Sequence, residues 1–199
     1  MPDKRAETIL IWMQLIETAT LNRALDGLTQ HEFIWMPHPG AWSIARREEC
    51  QTPTPLGAAE SQWVVDYDTE VENTNSAIEP MTTIAWLLNH FGAAPGLAAE
   101  LEYLGGSIDP SWPTYRRMWQ HTITPSADEA VATFLTGWSA LGRALATVTD
   151  EMLEREIPAD IFPWGRVDRF VSGVVNEVSH HGTQICMLRD LYRQQPVTA

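Results

Sequence analysis

Glu177 and His181 have the spacing in this chain that is best suited to chemistry. They lie four residues apart, about one turn of an α-helix, so a helix would present both side chains on neighbouring parts of one face. His181 falls within a stripe of apolar residues at helical spacing, which places a carboxylate and an imidazole beside a core that disfavours unsatisfied polar groups. A metal ion would satisfy both, because an i, i+4 pair lets one helix supply two ligands. His180 would point about 100° away from His181 and is a poorer candidate for the same site.

The same pair also has a structural explanation that involves no ion. Glu177 and His181 could hydrogen-bond to each other or belong to a buried polar network, since a motif with a single spacing recurs by chance. A third candidate, His90, lies in a segment of helical periodicity beside Trp86 and Leu87. A core histidine is explained by packing alone, but a fold that brings His90 against the other two would join two imidazoles and a carboxylate. Such a set leaves coordination positions open, as in catalytic zinc sites.

Four segments with helical periodicity must position these residues. The patterns predict a first helix over 4–25 and a second from Thr82 or Thr83, with a kink or break near Gly92 and Pro95-Gly96. A third helix is predicted from a Ser126–Glu129 capping box to about Thr147, and a last helix after Gly165. Short helical turns are predicted after the capping residue Thr29 and over 150–153. Residues 45–80 and 109–125 are expected to be irregular, and no strand pattern is evident. The predicted fold class is all-α: an antiparallel four-helix bundle with a long insertion between helices 1 and 2, forming a single domain over residues 1–199.

The composition limits the classes of partner. The chain has 199 residues, 44% of them hydrophobic, which suffices for a sizeable core. Its formal net charge of −13 argues against nucleic acid or an anionic membrane as partner, since both require a basic surface. With no apolar run long enough to cross a bilayer and no signal-peptide pattern, a soluble, cytoplasmic protein is predicted. The two cysteines, Cys50 and Cys186, form neither a disulfide framework nor a CxxC motif, and neither is predicted to be catalytic.

Several stretches of the chain together resemble the DinB-like superfamily of four-helix metal-binding proteins. They are the first-helix exit Asp26-Gly27-Leu28-Thr29 with Trp35, Pro37, Pro39-Gly40 and Trp42-Ser43-Ile44, the second-helix segment 82–90, the third-helix segment 137–142, and the fourth-helix segment 177–192. The resemblance implies a DinB-like bundle in which His90, His181 and a third ligand one turn before His181 hold a divalent metal. Many members have histidine at that third position, where this chain has Glu177, and members of the nearest branch often have histidine where this chain has Gly173.

The resemblance also suggests an activity. The implied cofactor is zinc or nickel, with manganese or iron as alternatives that suit the same donors. Some members use low-molecular-weight thiols as transferases or isomerases, so the expected function is thiol-dependent S-transfer to a small electrophile in detoxification or stress response. The expected partners are thus a small-molecule thiol and an electrophile. The alternatives are a metal-dependent hydrolase and a non-catalytic dimeric bundle with a degenerate or structural metal site. A homodimer is expected from the resemblance and from the Trp-rich irregular segments, whose exposure would favour burial in an interface.

Overall fold

The computed structural model of this protein describes residues 4–50, 52, 55–66, 81–106, 121–157 and 165–195. Within these residues the chain is mostly helical, as the hydrophobic periodicity predicts. The helices are α1 (Lys4–Ile16), α2 (Asn22–Leu25), α3 (Gln30–Ile34), α4 (Ile84–Phe91), α5 (Ala94–Glu100), α6 (Ala127–Leu145), α7 (Asp150–Glu154) and α8 (Val167–Arg193), with a 3₁₀ turn at Glu102–Leu104. No helix in the described part of the chain combines the length and the apolar character needed to span a membrane.

A π-helical turn at Glu17–Leu21 interrupts the predicted first helix and joins α1 to α2. The helix has the expected limits, but its inward face changes register at this turn. The buried side chains of α1 end at Ile16 and the next buried one is Leu21, a step of five residues. Because a π turn accommodates one residue more than an α turn, this step keeps Leu21 directed at the core. The π turn therefore accounts for the five-residue step between the buried positions Ile16 and Leu21.

Side-chain caps set the starts of α3, α4 and α6. Thr29 and Glu32 form a complete capping box that begins α3. Thr83 begins α4 by accepting the backbone N–H of Trp86 at 3.0 Å. Ser126 begins α6 by accepting the N–H of Glu129 at 3.3 Å, so the predicted start of this helix is confirmed, although its capping box is only half formed. The Glu129 carboxylate accepts the hydroxyl of Thr124 instead of the backbone N–H of Ser126.

The predicted break in the second helix separates α4 from α5 at Gly92. Pro95 lies in the first turn of α5, where its missing N–H costs nothing. α5 then packs against α6 at very short range: a methyl group added to Gly137 would lie 2.7 Å from the backbone nitrogen of Gly96. Two facing glycines thus allow the two helix backbones to approach each other directly.

Part of the insertion predicted to be irregular forms a hairpin, which corrects that expectation. The strands β1 (Ile44–Arg46) and β2 (Trp63–Val65) pair antiparallel, with Ile44 opposite Val65. Each strand has three residues, and Val64 and Val65 are both buried, so neither strand shows the alternation by which a sequence reveals a strand. Residues 51, 53, 54 and 67–80 of the predicted insertion, and residues 109–120 of the second irregular segment, lie outside the described residues.

A buried ion pair joins the exit of the first helix to α8. Arg189, on α8, is 2% exposed, and its Nε donates to Glu32 at 3.0 Å. Its Nη1 donates to the backbone carbonyls of Arg23, Ala24 and Asp26 at 2.9–3.1 Å. The guanidinium therefore satisfies carbonyl groups at the C-terminal end of α2 while its charge is balanced by a carboxylate.

Candidate metal centre

α4 and α8 pack against each other and bring His90 together with His181. His90 lies in the last turn of α4, and His181 lies near the middle of α8. Their ring centroids are 5.1 Å apart and the ring planes are nearly perpendicular. Two imidazoles that are 91 positions apart in the chain thus face the same point.

Glu177 completes the group from the preceding turn of α8. Its Oε2 lies 3.2 Å from Nε2 of His181. One ligand atom from each of His90, Glu177 and His181 lies within 4.8 Å of the other two. These are the three residues that the sequence predicts as metal ligands, and the structure brings all three together. Their role as ligands stays a prediction.

The donor set fits a divalent metal. His181 is 7% exposed, and its Nδ1 lies 2.7 Å from the side-chain oxygen of Gln184, so the N–H at Nδ1 donates to that oxygen. Nε2 then carries the lone pair and faces Glu177, at a close contact that lacks the geometry of a hydrogen bond. A buried lone pair directed at a carboxylate is unfavourable, so either a proton on Nε2 or a metal ion must lie between them. Two imidazole nitrogens and one carboxylate oxygen suit zinc, nickel, manganese or iron.

The protonation states also favour metal binding. Burial, helped by the nearby charges of His181 and His121, lowers the pKa of His90 to about 3. The contact with His181 holds the pKa of Glu177 below its ordinary value, with a contribution from His180, although burial acts in the opposite direction. At neutral pH His90 is therefore uncharged and Glu177 is ionised, which are the forms that bind metals.

The remaining histidines lie outside the group of three candidate ligands. His180 is exposed, and although it borders the same pocket, it does not belong to the metal-capable group found among the described residues. His31 and His38 are exposed. His121 is a packing residue: its Nε2 donates to the backbone carbonyl of Asn89 at 2.7 Å.

A pocket of about 410 Å³ opens beside the three candidate ligands. The side chains that line it are Trp42, Met81, Thr82, Trp86, His90, Glu177, His180, His181, Gln184, Met187 and Leu188. Trp86 stacks on His90 with ring centroids 4.3 Å apart, and Trp42 stacks on Trp86 at 5.7 Å. This aromatic column restrains the His90 ring from one side and separates the candidate ligands from the hairpin.

Three residues that shape the site were not singled out from the sequence. Gln184 lies three residues after His181, a helical spacing from which its contact was predictable. Asn89 is buried, and its side chain donates to the carbonyl of Thr124 and accepts the N–H of Thr124, which anchors the chain next to α6. Trp42 reaches the site because its backbone N–H donates to the carbonyl of Met81 at 2.7 Å, a contact with no local sequence signal.

Neither cysteine lines the pocket. Cys186 is buried on α8, where burial raises the pKa of its thiol, and the thiol lies 3.6 Å from the carbonyl of Thr20 in the π turn. Cys50 contacts Thr52 and Asp66. That neither cysteine is catalytic stays a prediction.

Comparison with known proteins adds one match. A sequence model of the DinB superfamily matches residues 52–185, a range that includes all three candidate ligands. The same comparison finds no significant match among curated proteins or among solved structures.

Proposed function

The chain belongs to the DinB superfamily, and on that premise we propose that it is a metal-dependent enzyme that transfers a small thiol to an electrophile. The observation that carries the proposal is the convergence of His90, Glu177 and His181 at the wall of an open pocket. Three protein ligands leave positions for exogenous ligands, which distinguishes a catalytic site from a closed structural one.

Each residue has a defined part in this proposal. His90, Glu177 and His181 would hold zinc or nickel, with manganese or iron as alternatives. The metal would supply Lewis acidity that lowers the pKa of a bound thiol. Gln184 keeps the lone pair of His181 on Nε2. Trp42 and its neighbours along the pocket wall would exclude water from the bound thiol.

We also propose that the helices form the antiparallel four-helix bundle of the family, within a single domain. The contacts among the described helices support this arrangement. α1 packs against α6, α6 against α4 and α5, α4 and α5 against α8, and α8 against α1. Contacts in this cyclic order are those of four helices arranged around a common core.

The first experiment is elemental analysis of protein purified without a histidine tag. We expect about one equivalent of a divalent metal, lost in the His90→Ala and His181→Ala variants. The metal-loaded protein is then assayed with 2-mercaptoethanol and a panel of halogenated nitroaromatics, epoxides and unsaturated diacids. Turnover that requires the thiol supports the transferase. Turnover without thiol would favour a metal-dependent hydrolase, and the absence of metal would favour a non-catalytic helical protein.

A further inference from the structure

The pocket beside the candidate ligands has an uneven distribution of charge. Among the described residues that line it, Glu177 is the only carboxylate and none is lysine or arginine. The other ionisable side chains in this described lining are the imidazoles of His90, His180 and His181. A ligand therefore meets no permanent positive charge from the described part of the lining.

Part of the pocket lining is apolar. It includes Trp42, Met81, Met187 and Leu188. Met81 is 42% exposed and Met187 is 51% exposed, although large apolar side chains usually avoid solvent. Methionine is unbranched and polarisable, so it adapts to ligands of different shape. Two exposed methionines beside a tryptophan are suited to cover an apolar group.

The proposed metal site limits how much negative charge a ligand can bring. A divalent cation held by ionised Glu177 and two neutral imidazoles retains one positive charge, because nitrogen ligands bind in their neutral form. One anionic donor atom on a ligand would neutralise that charge. A second anionic group would be desolvated in the pocket without a cationic partner among the described lining residues, which is unfavourable.

We propose, on the basis of the proposed function, that the pocket selects thiols whose only anionic group is the sulfur and whose remaining part is uncharged and apolar. Thiols that carry carboxylates are poor ligands of this pocket. Met81, Met187 and Trp42 are the determinants of this preference, because they contact the part of the ligand beyond the sulfur.

Four thiols that share a two-carbon linker test the proposal. They are 2-phenylethanethiol, 2-mercaptoethanol, cysteamine and 3-mercaptopropionate, which end in a phenyl, a hydroxyl, an ammonium and a carboxylate. Binding is followed by the methyl signals of ¹³C-methyl-methionine, which are few because the chain has seven methionines. We expect 2-phenylethanethiol to bind about tenfold or more tightly than 3-mercaptopropionate, with shifts at Met81 and Met187. Equal or tighter binding of 3-mercaptopropionate would overturn the proposal.

A variant with an added positive charge tests the proposal through a gain in the relative affinity for the thiol that carries a carboxylate. Met187→Lys places an ammonium at the pocket rim, at an exposed position where lysine does not disturb the core. It should narrow the preference for 2-phenylethanethiol over 3-mercaptopropionate by about fivefold. Met187→Gln controls for the lost thioether, and Leu135→Lys, at an exposed position on α6, controls for net charge. If Leu135→Lys has the same effect as Met187→Lys, the preference does not arise in this pocket and the proposal is wrong.

The titrations are made with zinc-loaded and with metal-free protein, and zinc content is measured separately. Failure to take up zinc would overturn the proposed function, whereas the preference for an apolar tail would still be measurable at Met81 and Met187 in the metal-free protein. Normal zinc uptake with no preference among the four thiols would leave the proposed function intact and overturn the inference about the pocket.

Discussion

The side-chain oxygen of Gln184 lies 2.7 Å from Nδ1 of His181 and so decides which nitrogen of that ring is available to a metal. The proton on Nδ1 is donated to Gln184, and Nε2 is left facing Glu177. A residue that fixes the orientation and tautomer of a metal-ligating histidine in this way contributes to metal affinity without touching the metal.

Gln184→Ala should weaken zinc binding about 10–100-fold, because the His181 ring is then free to rotate and to change tautomer. Gln184→Glu should retain most of the affinity, since a carboxylate oxygen can still accept the N–H of Nδ1. Competition with a chromophoric chelator measures both. Thr183→Ala is the matched control, because the exposed Thr183 hydroxyl bonds only to the Ser179 carbonyl of its own helix. Unchanged affinity in Gln184→Ala would contradict this role.

His181→Ala should abolish metal uptake, since it removes one of three ligands and leaves Glu177 without its partner. His180→Ala, the adjacent exposed position, should lower affinity only modestly. Glu177→Asn should weaken metal binding strongly if Glu177 is a ligand. Metal content after dialysis measures all three variants. Loss of metal in His180→Ala together with retention in His181→Ala would show that this face of α8 is the wrong one.

Arg189→Met should lower the free energy of unfolding by about 3–5 kcal/mol, because it leaves Glu32 buried without its cation and the carbonyls of the α2 terminus without a donor. Arg193 also approaches Glu32, at 3.5 Å, but it is 55% exposed. Arg193→Ala should therefore cost less than about 1 kcal/mol. Urea unfolding at neutral pH measures the free energy of unfolding of both variants. Similar losses in the two variants would refute the claim that the buried Arg189 contributes more stability than the exposed Arg193.

The contribution of Arg189 should also depend on pH. Burial acts to raise the pKa of Glu32, but the hydrogen bonds from Arg189 and Thr29 outweigh it and hold the pKa below the ordinary value of 4.5. A carboxylate with a lowered pKa in the folded state stabilises the protein above its unfolded pKa and loses that effect as the pH falls through the folded pKa. The stability difference between the native protein and Arg189→Met should therefore be constant near pH 7 and shrink below about pH 4.5. A constant difference down to pH 3 would contradict this pairing.

Two glycines of α6 should respond oppositely to alanine. A methyl group at Gly137 would lie 2.7 Å from the backbone nitrogen of Gly96, so Gly137→Ala forces α5 and α6 apart and should cost about 1–3 kcal/mol. The nearest atom to a methyl group at Gly142 is the terminal carbon of Met13 at 3.9 Å, an ordinary contact. Gly142→Ala should thus be neutral or stabilising by up to about 1 kcal/mol. Thermal unfolding monitored by circular dichroism separates the two outcomes.

The homodimer expected from the sequence has a candidate surface on α1. Ile11, Trp12 and Leu15 are each more than half exposed there, in an arrangement typical of an interface. We expect the native protein to sediment as a dimer at micromolar concentration, and Trp12→Glu with Leu15→Glu to produce monomers. Leu135→Glu, which replaces an exposed apolar residue of α6, should leave the dimer intact. Sedimentation of the native protein at monomer mass would refute the expectation.

Local sequence was sufficient for the directions of side chains along the regular α-helices, although not across the π turn at Glu17–Leu21. The i, i+4 spacing of Glu177 and His181 placed them on the same side of α8, and the capping residues Thr29, Thr83 and Ser126 marked where three helices begin. These features depend on the rotation per residue of a helix and on hydrogen bonds across three residues, so they are present in any fold that contains the helix.

Distances between elements depended on tertiary packing. The approach of His90 to His181 requires α4 to pack on α8, and Trp42 enters the pocket wall only because the hairpin segment bonds to Met81 at the start of α4. Arg189 could be identified as a charge on a helix, but its burial against Glu32 depends on where the chain returns after α2. The periodicity of a helix specifies the direction in which a side chain leaves its axis. Which group it meets is decided by the close packing of residues far apart in the sequence, and that packing carries no local pattern.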